Sequence, residues 1–359
     1  MRRSLRPSTR LALAVAAVAV TAATPAAQAQ DDWDVTWSNG FKVENKEKGF
    51  ALKFGGRLMA DYTFADADET LGALEDGFEL RRARLFFSGT VYERIEFKAQ
   101  YDFAGGAAAA KDLYVGLLFD PATLRFGHYK EYFSLEELTS SKYITFLERS
   151  LPVEAFAPSR NSGVGVHGAT GETLNWGVGA FYDADDFGES VSEDDYNVTG
   201  RIGWRPIYQD DGDTLLHLGF GASLRERGGS MRFRARPEAH LAPRFVDTGN
   251  FAGDGATVLG GEVAGVFGPF WFASEYMQAA TDAPTVGDPT FGGYYVQAGW
   301  FLTGESRAFD AAEGAFARNK PAANFGKGGG AWEIALRYSH LDLTDAGVRG
   351  GEQDDFTVG

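Results

Sequence analysis

Apolar and polar residues alternate with a period of two along most of this chain. Between Arg94 and Phe103, Ile95, Phe97, Ala99, Tyr101 and Phe103 share one face, and Arg94, Glu96, Lys98, Gln100 and Asp102 share the other. Leu216, Leu218, Phe220, Ala222 and Leu224 oppose His217, Ser223 and Arg225. Trp332, Ile334, Leu336 and Tyr338 oppose Glu333, Arg337 and Ser339. In 52–62 the odd positions carry Lys53, Arg57 and Asp61. A period of two places successive side chains on opposite faces of an extended strand. The pattern predicts strands at 50–64, 79–90, 93–104, 111–119, 122–129, 162–169, 174–183, 195–205, 214–225, 257–267, 270–279, 291–302 and 331–342, with a further one beginning at Phe356.

A soluble sandwich alternates too, but its polar face meets bulk water. In a membrane barrel the apolar face meets lipid and the charged face lines a wet lumen. Aromatic residues at strand ends favour the barrel, since they collect at the two membrane interfaces. Tyr62 and Phe64, Tyr101 and Phe103, Phe181 and Tyr182, Tyr294 and Tyr295, and Trp300 and Phe301 hold such places. Short connections (91–92, 120–121, 268–269) alternate with longer ones, as periplasmic turns alternate with external loops. Segments 130–161 and 226–256 are long enough to need a purpose. Segment 303–330 falls by parity on the side of the short turns. Residues 31–49 are expected to form a plug or an extra hairpin.

The first thirty residues set the compartment. Arg2, Arg3, Arg6 and Arg10 precede the apolar run 11–20, and Ala27-Gln28-Ala29 follows as a small-residue cleavage pattern. That is a secretory signal peptide over 1–29. The expected organisation is then an N-terminal periplasmic segment at 30–49 and an outer-membrane barrel over 50–359. An even strand number is expected of a bacterial barrel, so thirteen strands and a stub read as a chain cut short at its C-terminal side.

With no cysteine among the 359 residues, thiol catalysis and thiolate metal sites are excluded. Forty-six glycines and 14% aromatic residues suit strands and tight turns. The formal charge is -16, and removing the four leader arginines makes it more negative still, which argues against a nucleic-acid partner. His128, His167, His217, His240 and His340 show no metal-ligand spacing. No nucleophile elbow or phosphate loop follows a strand, so neither an enzyme nor a cofactor is expected.

Several ordered blocks carry a resemblance. They are Gly55-Gly56-Arg57-Leu58, Arg81-Arg82-Ala83-Arg84-Leu85, Ser88-Gly89-Thr90 and Tyr101-Asp102-Phe103, then 133–141 (FSLEELTSS) and 146–150 (FLERS), then Leu302-Thr303-Gly304-Glu305, Trp332-Glu333 and Arg337-Tyr338-Ser339. Together they resemble the phosphate-selective porins O and P of Gram-negative outer membranes, over nearly the whole mature chain. The resemblance implies an all-β, transmembrane, antiparallel barrel of sixteen strands that assembles as a homotrimer among lipid and lipopolysaccharide. It also implies that one loop, 130–161 by position, folds into the lumen and narrows it, and that the solutes are small anions such as phosphate or polyphosphate.

An anion passage needs cationic donors in a narrow lumen, and the planar fork of arginine suits phosphate. Three groups fit. Arg82 and Arg84 turn inward by alternation, with Arg81 at the bend. Arg149, with Lys142, lies on the constriction loop. Arg232, Arg234 and Arg236 recur at spacing two. The resemblance adds Asp112 beside the central site. It also shows departures, because Glu96 and Glu137 stand where selective members carry lysine. Arg82 and Arg84 could equally pair with lumenal acids such as Glu96 or Asp102 and stiffen the wall. A general small-solute pore without phosphate selectivity, and a non-conducting structural or adhesion barrel, stay open at this stage.

Overall fold

The computed structural model describes residues 33–37, 40–66, 74–190 and 195–359. The expected leader, 1–29, lies outside them. Sixteen strands form one antiparallel meander: β1 (Asp34–Trp37), β2 (Phe41–Asn45), β3 (Phe50–Thr63), β4 (Gly77–Val91), β5 (Ile95–Asp102), β6 (Ala109–Phe119), β7 (Ala122–Lys130), β8 (Arg160–Thr170), β9 (Leu174–Tyr182), β10 (Tyr196–Gln209), β11 (Thr214–Glu226), β14 (Gly255–Phe267), β15 (Phe270–Asp282), β16 (Thr290–Phe301), β19 (Glu333–Asp345) and β20 (Val348–Val358). Two short ribbons interrupt the order, β12 (Arg234–Ala235) with β13 (Val246–Asp247), and β17 (Phe309–Asp310) with β18 (Ala315–Phe316). Among the described residues β1 and β20 do not pair with each other.

Each of the thirteen predicted strands is present to within a few residues. The count rises to sixteen for two reasons. Residues 34–45, placed in the expected periplasmic segment as a plug or an extra hairpin, form the hairpin β1–β2, and it joins the sheet by pairing with β3. The last strand starts at Val348 instead of Phe356 and pairs with β19 along most of its length.

The outward face is apolar. Leu58 is 68% exposed, and Leu85, Phe87, Phe126, Ile202, Phe220, Val296 and Leu336 are exposed at alternate positions of successive strands. An apolar surface of that extent is not stable in water and is what lipid requires. Tyr62 with Phe64 and Tyr101 with Phe103, spaced by two, are all exposed, and the adjacent aromatic pairs divide by the same alternation. Tyr182 and Trp300 are exposed, whereas Phe181, Tyr295 and Phe301 are buried on the inner side, so only one of each adjacent pair can serve an interface.

The segment between β7 and β8 folds inside the sheet. It contains the single-turn helices α1 (Leu135–Leu138) and α2 (Leu151–Phe156). Ser134 caps α1 by accepting the Glu137 amide at 3.0 Å. Glu275 of β15 accepts from Ser134 Oγ (3.1 Å), Leu135 N (3.0 Å) and Glu136 N (2.8 Å), which satisfies amides that a short helix leaves open. Phe133, Leu135, Leu151, Val153 and Phe156 pack on Val258, Met277, Phe291 and Leu341 of the β14–β19 wall. The loop 227–254 turns inward as well and adds Met231, Phe233, Val246 and Phe251 to this core.

Both ends of the sheet converge on these loops. Arg81 and Arg82 of β4 and Arg337 of β19 all bond Glu148, the last at its backbone oxygen. Glu79 of β4 bonds His240, and Thr357 of β20 bonds Glu238. The infolded loops therefore fill one half of the lumen and leave a cavity against β3–β9.

Candidate functional site: the lumenal passage

The remaining cavity measures about 1230 Å³. Strand register arranges its wall in rows. One row runs Lys53, Ser88, Lys98, Tyr114 across β3 to β6. Another runs Arg57, Arg84, Asp102. A third runs Glu96, Gly116, Arg125, and the missing side chain at Gly116 lets Arg125 reach Glu96 at 2.8 Å. Arg125 also lies 4.1 Å above the Tyr114 ring.

Two β-bulges decide which charges face inward. Between the pairs Met59–Arg82 and Asp61–Glu79, β4 has one residue more than β3. Simple alternation would put Arg81 and Arg82 on opposite faces. The extra residue re-aims the strand, and both arginines reach Glu148 on the constriction loop, Arg82 at 3.2 Å. Between Ala99–Leu113 and Tyr101–Ala110, β6 has the extra residue, and Lys111 and Asp112 both border the cavity.

Most lumenal charges are paired. Arg84 donates to Asp102 at 2.6 Å. Asp112 holds Lys98 (2.5 Å) and Arg160 (2.8 Å). Glu137 holds Arg149 (2.9 Å) and Lys130 (3.2 Å). Burial works against ionising Glu137, and Arg149, Lys130 and Arg160 override it, so its carboxyl stays below the ordinary carboxylate value. Arg149 also donates to the carbonyls of Glu136, Glu137 and Thr139, which closes the end of α1.

Three cavity-lining cations have no carboxylate partner among the described residues: Lys53, Arg57 and Lys142. Arg57 reaches only Ser140 Oγ, at 3.5 Å, and its Nε has no partner. Lys142 lies 5.1 Å above the Tyr143 ring. Burial, then the charges of Arg57 and Lys98, draw its ammonium below the ordinary value.

The sequence-predicted residues divide accordingly. Arg81, Arg82, Arg84, Asp112, Lys142 and Arg149 are brought together around the cavity. Arg232, Arg234 and Arg236 are not. Phe233 and Ala235 alternate with them and go into the core, which turns Arg232 and Arg234 to solvent. Arg232 pairs with Asp247, and Arg236 lies 3.7 Å from Glu154. Sequence reasoning passed over Lys53, Arg57, Lys98, Arg125, Lys130 and Arg160. Lys53, Arg57 and Lys98 stood on recognised polar strand faces, which was the available sign. Lys130 and Arg160 flank the loop and carry no periodic mark.

The segment between β16 and β19 departs from the expected periplasmic connection by folding back into the lumen. Arg201 donates to the Gly314 carbonyl at 2.7 Å, and the Phe316 amide donates to Thr139 Oγ1 at 3.2 Å, so this segment meets the constriction loop. Asp310 and Glu313 border the cavity.

An antiparallel meander with an apolar exterior and a charged lumen narrowed by an infolded loop defines a porin of the outer membrane. Residues 52–359 match the phosphate-selective porin O and P family, and the chain belongs to that family. Porin O of Pseudomonas aeruginosa is 30% identical over 377 residues, covering 94% of this chain and 83% of that protein. An uncharacterized protein of Caulobacter vibrioides is 30% identical over 352 residues, covering 94% and 70%. Among solved structures, an anion-selective porin from Comamonas acidovorans has the same fold, with a TM-score of 0.53 at 15% identity, covering 86% of this chain and 83% of that one.

Proposed function

We propose that this porin passes small oxyanions by diffusion, with Lys53, Arg57 and Lys142 forming the point of closest engagement. One observation carries the reading. Among the described residues, fourteen Lys and Arg side chains border the cavity against six Asp and Glu, and the five partner carboxylates just outside its lining (Glu44, Asp102, Glu148, Asp186 and Glu262) still leave the cations in excess, in a chain whose formal charge is -16. A lumen whose sign is opposite to that of the whole protein concentrates anions. Porin O, a relative, and the anion-selective porin of the same fold agree with it.

Phosphate is bound weakly in this reading. The forks of Arg81 and Arg84 are already engaged by Glu148 and Asp102, and Glu96 and Glu137 occupy places where lysine would add charge. Chloride and phosphate then share one path. Export by the 1–29 leader, a barrel unit that takes in the β1–β2 hairpin together with 50–359, contact with lipopolysaccharide and homotrimeric assembly complete the proposal.

The test is zero-current potential across a planar bilayer in a KCl gradient. An anion-signed potential is expected, with chloride current falling modestly as phosphate is added. A cation-signed potential would overturn the reading.

A further inference from the structure

The lumen also holds acids without partners. Glu313 borders the cavity at the tip of the β17–β18 ribbon, is exposed there, and makes no ion pair among the described residues. The tip is held firmly. Phe309 and Phe316 meet edge to face at 5.6 Å, Gly314 N donates to Asp310 O at 2.8 Å, and Arg201 fixes the Gly314 carbonyl. Gly314 has φ +61° and its Cα faces the Asn175 side chain, where a Cβ would come within 2.4 Å. The Asp310 carboxylate turns back onto the amides of Ala312 (3.0 Å) and Glu313 (3.1 Å), which leaves Glu313 as the acid presented to solute.

Tyr132 stands nearby. Its ring lies against Gly165 and Gly177, where a Cβ would come within 2.7 and 2.6 Å of it. The side chain is 8% exposed and borders the cavity, with its hydroxyl beside that of Tyr129. Arg125 and Tyr129 act on that hydroxyl first, and Glu313 and Glu96 after them. Unpaired charges of both signs thus line one cavity, Lys53, Arg57 and Lys142 with Glu313, and the Tyr132 hydroxyl borders it too. A purely anionic solute is repelled by Glu313. A solute that also carries an ammonium group gains acceptors there, since an ammonium has three donors and no acceptor.

We propose that the passage favours small zwitterionic organophosphates of the aminoalkyl phosphate class, with the phosphate on Lys53, Arg57 and Lys142 and the ammonium donating to Glu313 and the Tyr132 hydroxyl. This rests on the oxyanion reading above and narrows its substrate class.

The experiment uses the full chain in planar bilayers and compares 2-aminoethyl phosphate with ethyl phosphate as blockers of chloride current. The first carries less net negative charge, so a plain anion channel ranks it second. The native protein is expected to be half-blocked by 2-aminoethyl phosphate at a concentration roughly three- to fivefold lower than by ethyl phosphate, the range of a solvated ion pair. Glu313→Gln is expected to abolish that preference and leave ethyl phosphate block at least as strong. Tyr132→Phe is expected to reduce the preference in part. The Glu313 side chain holds no ion pair or hydrogen bond among the described residues, and the anchors at Gly314 stay in place, so folding is preserved. Equal block in the native protein, or a preference that survives Glu313→Gln, would overturn the proposal while the anion-signed potential stands. A cation-signed potential in the native protein would remove the reading beneath it instead.

Discussion

Replacing Arg57 by Gln separates the proposed path from the arginines that sequence reasoning put first. Arg57 borders the cavity with no carboxylate partner and one long contact to Ser140 Oγ at 3.5 Å. Its charge is available to a passing ion. Arg82 has a similar place on the wall, but Glu148 takes up its charge at 3.2 Å. A unit charge acting on an anion at about 4 Å contributes ~1 kcal/mol at the dielectric of water and ~4 kcal/mol at an effective value of 20. The lumen is wet, so the lower figure applies, and ~1 kcal/mol is roughly a fivefold change in local anion occupancy. Arg57→Gln is therefore expected to lower the anion-to-cation permeability ratio roughly fivefold and to weaken phosphate block by a similar factor. The single-channel conductance at high salt should change little, because screening shortens the reach of the lost charge to about 3 Å at 1 M. Arg82→Gln removes the same formal charge yet frees Arg81 for sole possession of Glu148, so its effect should be smaller. Zero-current potentials of the two variants, measured side by side at low ionic strength, decide the matter. An unchanged ratio in Arg57→Gln with a collapse in Arg82→Gln would refute the argument that pairing silences the lumenal arginines.

Three further outcomes follow from the same structure. Leu58→Arg places a charge on the outward face of β3 and should destabilise the inserted barrel by ~2–4 kcal/mol if the site is near the bilayer midplane, read from unfolding in lipid vesicles; no loss would mean that this face does not meet hydrocarbon. Arg337→Ala strips a buried cation from Glu136 (3.1 Å) and Glu238, and leaving two buried carboxylates unpaired should cost ~3–5 kcal/mol, seen as a lower unfolding temperature in detergent together with larger, noisier current steps as the loop loosens. For Glu148, burial opposes ionisation, but the hydrogen bond and charge of Arg81, with the charge of Arg82, hold its carboxyl below the ordinary value of 4.5. A group held down in this way contributes stability above its ordinary value and loses it as pH falls through the lowered one. Current noise should therefore be flat from neutral pH down to about 5 and rise only below about 4.5, and Glu148→Gln should be noisy at every pH.

The strands were legible because period two needs no knowledge of the partner. A residue such as Phe220 is outward wherever its neighbours lie. What alternation could not reach is any place where the period slips. The bulge in β4 sets Arg81 and Arg82 on one side, and nothing in Leu80-Arg81-Arg82 announces the slip, because it exists only as a mismatch against Met59 and Asp61 on β3. The ion pairs were hidden for a similar reason. Glu148 lies 66 residues from Arg82, and only the infolded loop brings them together. The inward turn of loop 227–254 was masked by its own arginines. Arg232, Arg234 and Arg236 suggested a lumenal row, whereas Met231, Phe233 and Ala235 between them do the packing and point the cations away. For 31–49 a hairpin stayed open beside a plug, because strands of five residues or fewer give too little repetition to decide.

The constriction loop shows why so many lumenal cations are spent on carboxylates. A loop of 29 residues between β7 and β8 has to be held inside a water-filled space, where most of the apolar packing is on one side. On the β14–β19 wall, Phe133, Leu135 and Phe156 supply that packing, and Glu275 satisfies the opening of α1. On the β3–β9 side the loop buries one ring, Tyr132 against Tyr129 and Phe181, and the rest of the attachment is electrostatic: Glu148 to Arg81 and Arg82, and Glu137 to Lys130 and Arg149. Each tether converts a mobile-ion site into a structural one. Selectivity then falls to the few cations the loop does not need, and this chain leaves Lys53, Arg57 and Lys142 in that position. A lumen with most charges committed in this way should discriminate by sign more than by the chemistry of the anion, because a bidentate fork already closed on a carboxylate cannot also close on phosphate.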